Sequence, residues 1–181
     1  VAFAKGASYD FAAEGKTEAN IYVMMGQLSN QAAVQRTKDI HDVMASGDCG
    51  VTLKIVDEQS ANWSRDEAQT LMTNWLSTNT AFDGVITNND EMAVGAIQAM
   101  KASGIDMKSV VVAGIDATQD ALVAMAAGDL DVTVFQNASA QGGGALAAAV
   151  ALSKGEAVEQ KVYVPFELVT PANLADYQAK N

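Results

Sequence analysis

A chain of 181 residues, 49% of them hydrophobic, is long enough for one domain with its own core and too apolar to stay disordered. Its 22 acidic against 11 basic side chains give a net charge of −11, which repels phosphate backbones and anionic membrane surfaces and argues against a nucleic-acid partner. No apolar run approaches the roughly 20 residues of a membrane span, and the single cysteine, Cys49, excludes an intrachain disulfide and reads as an incidental thiol. The opening does not combine a basic stretch with an apolar segment in the manner of an export signal.

In chain order, residues 1–19 are mixed and glycine-punctuated, supply no complete strand and helix, and read as a remnant or linker. From Asn20 onward, short runs rich in Val, Ile and Phe alternate with amphipathic helical patterns. Asn20–Met25 is a predicted strand, followed by a helix over Ser29–Ala45 with Ala33, Ile40, Val43 and Met44 inward. After a strand at Val51–Asp57, Ser64 and Glu67 have the spacing of a capping box, in which hydroxyl and carboxylate each serve the other residue's backbone N–H. Ala68, Leu71, Met72, Trp75 and Leu76 then share one helical face, which gives Trp75 a core role. A strand at Gly84–Thr87 precedes a helix carrying Ala93, Ala96, Ile97 and Met100 inward. Another at Ser109–Ala113 precedes a helix with Leu122, Met125 and Ala126 inward, closed by Gly128. Asp131–Phe135 is the fifth strand. Ala138–Ser153 reads as a helix in which Gly142–Gly144 either delays the start or admits a second backbone. Val162–Val169 alternates with period two but contains Pro165, which suits an edge strand or connector, and Pro171–Ala179 suits a short terminal helix. The rhythm predicts an α/β fold, an open parallel sheet with helices on both faces.

In such sheets a ligand sits beyond the carboxyl ends of the strands. The residues there are Gln27–Gln31 with Arg36 on the next helix, Ser60–Trp63, Asn88–Asp90, Asp116–Thr118 and Gln136–Asn137. Amides, carboxylates, one guanidinium and one indole match the paired donor and acceptor character of sugar hydroxyls and the apolar C–H face of a sugar ring. The set suits catalysis poorly. No nucleophile and base are paired, His41 lies within a helix, and no His/Cys spacing suggests a metal. The expectation is a binding protein that is not an enzyme and needs no cofactor.

Five segments carry a resemblance: GQLSNQAAVQR (26–36), EQSANWSRDEA (58–68), TNNDEMA (87–93), GIDATQDA (114–121) and VTVFQN (132–137). In this order and spacing they resemble the second lobe of the ribose-binding family of periplasmic solute receptors, across Asn20–Val169. The resemblance implies a Rossmann-like lobe of the type I periplasmic binding proteins, with residues 20–137 as the sugar-binding lobe and 138–181 as a hinge-crossing helix, strand and C-terminal segment. It implies Arg36 as hydroxyl donor, Trp63 as ring platform, Asn89 as amide contact, Asp116 as hydroxyl acceptor and Gln136 as a contact near the hinge. Each also has a structural alternative: an Arg36–Asp39 surface pair, Trp63 as a loop aromatic over the core, Asn89 and Asp90 as helix caps, Asp116 as a turn residue, and Gln136 as a purely structural side chain. The implied role is periplasmic: a monosaccharide or polyol (pentose, hexose or a cyclitol such as inositol) is captured for an ABC permease. Trp63, where simple ribose receptors usually carry a smaller aromatic, argues against ribose itself. The effector domain of a lactose-repressor-type regulator, and a lobe reduced to an interaction module, are the alternatives. The family's first lobe has no counterpart in these motifs, so the apolar faces of Ala145, Leu146, Ala149, Val150 and Leu152 are expected to lack cover and to favour self-association.

Overall fold

The computed structural model describes residues 6–7, 11–13, 15–47 and 50–180; Cys49 and the expectation attached to it lie outside them. Four strands, β1 (Glu18–Met25), β2 (Thr52–Ser60), β3 (Gly84–Thr87) and β4 (Val111–Ala113), form a parallel sheet in the order β2-β1-β3-β4. β5 (Thr133–Phe135) lies beside β4, joined by the parallel pairs Ala113↔Val132 and Asp116↔Phe135. β6 (Glu167–Val169) runs antiparallel to β5. The chain goes from β1 outward to β2 and then back past β1 to β3, so the strand order reverses between β1 and β3. A crevice opens at such a point.

The helices are α1 (Gln31–Ser46), α2 (Arg65–Ser77), α3 (Asp90–Ala102), α4 (Gln119–Ala127), α5 (Ala138–Ser153) and α6 (Leu174–Gln178), with a 3₁₀ turn at Met107–Ser109. Alternation along β1 sorts them onto two faces. Ile21 and Val23 join Ile40 and Val43 of α1, and Ala7 and Phe11, in one buried cluster. Tyr22 and Met24 join Met72, Trp75, Ile97, Met100, Leu122 and Met125 of α2, α3 and α4 in the other. The doubly covered parallel sheet is therefore the observed fold class. Trp75 is core: its ring stacks on Tyr22 at 4.4 Å, and its Nε1 donates to Asp57 Oδ2 at 2.7 Å.

Several local expectations need amendment. Ser64 Oγ does accept from Glu67 N, but the Glu67 carboxylate takes Asn62 Nδ2 at 2.7 Å instead of reaching back to Ser64. On α4 it is Ala121 that is buried, beside Leu122 and Met125, while Ala126 is exposed, because the inward stripe runs through 121, 122 and 125 and position 126 falls at its solvent edge. α5 starts at Ala138 and continues through Gly142–Gly144, and a side chain added at any of the three would meet nothing within 4 Å. So the glycines neither delay the helix nor admit a second backbone; the alanines around them have enough helix propensity to carry the run. No residue of α5 is buried. The chain then returns: Val169 and Tyr177, from β6 and α6, sit in the α2–α4 face of the core.

Candidate ligand-binding site

The strand tips converge on Arg36. Asn30 caps α1 by accepting from Ala32 N at 2.8 Å, which fixes the helix start and places Arg36 in its second turn. Nη1 of Arg36 donates to the Asn88 carbonyl and Nη2 to Gln136 Oε1, both at 2.7 Å. Asp116 Oδ1 lies 3.6 Å from Nη1, an ion pair too long for a hydrogen bond, and the guanidinium stands 5.6 Å from the centre of the Trp63 ring. The side chain thus turns away from Asp39, which accepts instead from Gln35.

Burial lowers the pKa of Arg36, opposed by the charges of Asp116 and Asp90. Burial likewise pushes Asp116 up to about 6, against the pull of Arg36 and with added repulsion from Glu91. A carboxylate and a guanidinium that are both partly desolvated, and not bonded tightly to each other, keep unused capacity for hydroxyl groups.

The two aromatic and acidic positions are held in unusual backbone. Asn62 and Trp63 have φ of 53° and 66°, Asp116 and Ala117 of 130° and 54°. Left-handed φ at bulky residues costs about 1–3 kcal/mol each and gathers at ligand sites. The Trp63 indole lies flat against Gly26, so close that a Cβ there would stand 2.2–2.5 Å from ring carbons. Gly26 is itself pinned: its N–H donates to Asn88 Oδ1 at 3.1 Å, and its carbonyl accepts from Ser60 Oγ at 2.8 Å.

Of the five side chains singled out in the sequence, the structure gathers Arg36, Trp63, Asp116 and Gln136 around the guanidinium. Asn89 stands one residue from Asn88 but is 8% exposed, and its Oδ1 caps α3 by accepting from Met92 N at 3.1 Å. Asp116 and Gln136 also line a cavity of 430 Å³ with Ala117, Thr118, Gln119 and Ala138. Among the described residues there is no group of three or more His, Cys, Asp or Glu that could hold a metal ion, and no helix is long and apolar enough to cross a membrane.

Three supporting residues have roles that the sequence did not assign: Asn88 and Asp90 stood among the strand-tip residues, Asp90 as a possible helix cap, and Gly26 only as part of a motif. Asn88 is fully buried, with its Oδ1 shared by Gly26 N and Thr37 Oγ1 and its carbonyl on Arg36. Asp90 is fully buried beneath the turn that carries Asp116. Gly26 is the seat of Trp63. All three lie within the motifs quoted above, but burial of a polar side chain is not visible in composition; only the closeness of four polar residues in TNND hinted that not all of them face solvent.

Comparison with known proteins agrees with this geometry. A putative rhizopine-binding protein of Rhizobium meliloti is 64% identical over 168 residues, which is 93% of this chain and 53% of that protein. An ABC transporter solute-binding protein of Bacillus halodurans, solved with bound myo-inositol, superposes with a TM-score of 0.88 at 41% identity, covering 99% of this chain and 62% of that one. The Caulobacter myo-inositol binding protein, bound to myo-inositol, gives a TM-score of 0.86 at 32% identity over 100% of this chain and 63% of its own. The chain thus spans between half and two thirds of the length of these proteins. The model of the periplasmic binding protein domain matches residues 3–157, and with the doubly covered sheet and the polar cluster at its strand tips this establishes that the chain belongs to the periplasmic binding protein domain family.

Proposed function

We propose that this lobe grips one side of a monosaccharide or related polyol, with a cyclitol as the leading class, for the solute-receptor component of a bacterial ABC sugar importer in the periplasm. The observation that carries the reading is the tethered guanidinium of Arg36, held by Asn88 and Gln136 between the Asp116 carboxylate and the Trp63 ring. The two myo-inositol complexes among the similar structures favour a cyclitol.

Each part has a stated task. Trp63 covers the C–H face of the ring, Asp116 accepts from one hydroxyl or two, and the remaining donor capacity of Arg36 serves neighbouring hydroxyls. Gln136 presents its amide N–H₂ while its oxygen steadies Arg36, and Asn89 offers the amide group not used in capping α3. The reading involves no covalent step and no cofactor. Transport follows if the ligand favours a closed receptor that the permease recognises, since only differential affinity for that state shifts the population.

The test is a two-dimensional NMR titration of the chain with myo-inositol, xylitol, ribose and glucose. We expect saturable shifts at the Trp63 indole, the Arg36 guanidinium and the 115–118 amides, strongest with the cyclitol. Silence at all three groups with every member of the panel would overturn the reading. The same reading leaves the exposed Leu146, Val150 and Leu152 of α5 without a covering surface, so copies of the chain associate through them at high concentration. Sedimentation velocity tests this, and a clean monomer at high concentration refutes it.

A further inference from the structure

We propose that Asp90 is a positioning residue: it fixes the 115–118 turn and thereby sets where Asp116 meets the ligand, without touching the ligand itself. This rests on Asp116 being a ligand contact, as set out above.

The bonds run to one turn from three directions. Asp90 N donates to the Ile115 carbonyl at 2.8 Å. Asp90 Oδ2 accepts from Thr118 N at 2.9 Å. Asp90 Oδ1 accepts from Thr133 Oγ1 at 2.7 Å, and that hydroxyl oxygen accepts in turn from Ala117 N at 3.2 Å. Residue 115 is therefore anchored by the Asp90 backbone, and 117 and 118 by its carboxylate, through Thr133 or directly, and the residue left between the anchors is Asp116.

The anchoring has a reason to exist. Asp116 and Ala117 carry φ of 130° and 54°, a backbone that L residues leave unless the surroundings hold them. The carboxylate reaches the turn because position 114 is glycine: a Cβ there would lie 2.3 Å from Asp90 Oδ1. Asp90 is fully buried, and burial pushes it up to about 7, with repulsion from Asp116 adding to this and the Thr133 and Thr118 donors opposing it. A helix cap does not require a carboxylate in so costly a place, and the cap of α3 is already supplied by Asn89. The charged groups facing Asp90 are Asp116 from the turn and Arg36 from α1. Both belong to the proposed grip, so any displacement of Asp90 is felt there first.

The test uses Asp90→Asn, which keeps the size but leaves one oxygen, and Thr133→Val, which keeps the shape and removes the link to Ala117. Each is measured alone and combined with Asp116→Ala, by NMR titration with myo-inositol and by amide hydrogen exchange. We expect each single variant to weaken binding about tenfold and to speed exchange at residues 116–118 about tenfold or more, while exchange in the central strands β1 and β3 stays unchanged. In the Asp116→Ala background the same substitutions should alter affinity less than twofold, as a double-mutant cycle demands when one residue acts through another. An undiminished loss in that background, or acceleration spread over the whole sheet, would mean that Asp90 serves general stability and would overturn the proposal. So would unchanged exchange at 116–118. If Asp90→Asn fails to fold, Thr133→Val decides by the same criteria. If the unaltered chain shows no shift with any polyol, it is the binding reading that fails, and the exchange data still decide whether Asp90 holds the turn.

Discussion

α3 and α5 are both uninterrupted helices, and both are apolar in sequence, yet they live in different solvents. Nine of the 13 residues of α3 are buried, and none of the 16 in α5. α3 forms because the sheet and its neighbouring helices enclose it. α5 has no such enclosure and owes more to backbone propensity, from a run of alanines that pay little side-chain entropy. The lesson is that helical pattern and burial are separate properties.

The sharpest way to break this comparison is to remove equal volumes from both. Met100→Ala, at a fully buried position of α3, should destabilise the chain by about 2–5 kcal/mol through lost transfer energy and a residual cavity. Leu146→Ala on α5, at a position 67% exposed, should change stability by less than about 0.5 kcal/mol. Urea denaturation measures both; equal losses would show that α5 is packed against another surface in solution.

Acidity separates the regions next. Asp90 and Asp116 have folded pKa values raised to about 7 and about 6, so between about pH 4 and 7 the folded chain binds more protons than the unfolded one. Their contribution to stability is therefore greatest at the acid end of that window and is lost as pH rises through it. For Asp90 the loss is on the order of 3 kcal/mol. Asp57 works the other way: although burial pulls it up, its Trp75 and Gln59 donors hold it low, and its contribution disappears only as pH falls below about 4. Residues 138–153 contain no ionisable side chain, so exchange protection in α5, corrected for intrinsic rates, should not vary with pH. Denaturation midpoints from pH 5 to 8 should fall for the unaltered chain and fall less steeply in Asp90→Asn, where Asp116 still titrates.

Glycine substitutions sharpen the contrast further. Gly26→Ala drives a Cβ into the Trp63 ring, and the platform must move. We expect a shifted tryptophan emission and at least about a tenfold loss of polyol affinity. The smallest effect belongs to Gly143→Ala, where a Cβ meets open space. It should favour α5 by about 0.5–1 kcal/mol, visible as slower exchange within that helix and as no change in affinity.

Much of this was legible in the sequence, for identifiable reasons. Periodicity located the strands and helices from Asn20 to Ser153 to within a few residues, because a parallel sheet covered on both faces imposes apolar runs on strands and stripes on helices, whereas of the alternating run Val162–Val169 only Glu167–Val169 is strand. Arg36, Trp63, Asp116 and Gln136 were identifiable because the strand-tip motifs that contain them resemble a known family of solute receptors, and the structure brings them around one guanidinium. What stayed hidden depends on three-dimensional closeness. The Glu67 carboxylate found Asn62 before its own helix start, the Gly142–Gly144 run proved to face open space, and Asp90 turned from a candidate cap into a buried anchor. None of these follows from the helical or strand period, because each is decided by a neighbour outside the element or by the lack of one.

The antiparallel pair β5–β6 has a mechanical consequence. Phe135 and Glu167 are directly opposed in register, so the chain that leaves the lobe after β5 re-enters beside its own point of departure. Residues 136–166 are in effect a long insertion at the tip of a β-hairpin, whose two stems already sit at the spacing that a short reverse turn would bridge. The residue at the exit of that pair, Gln136, is bonded to Arg36 through its side chain and to the Asp116 carbonyl through its N–H. A shift of residues 136–166 about the β5–β6 pair would therefore be felt at Arg36 and Asp116 together.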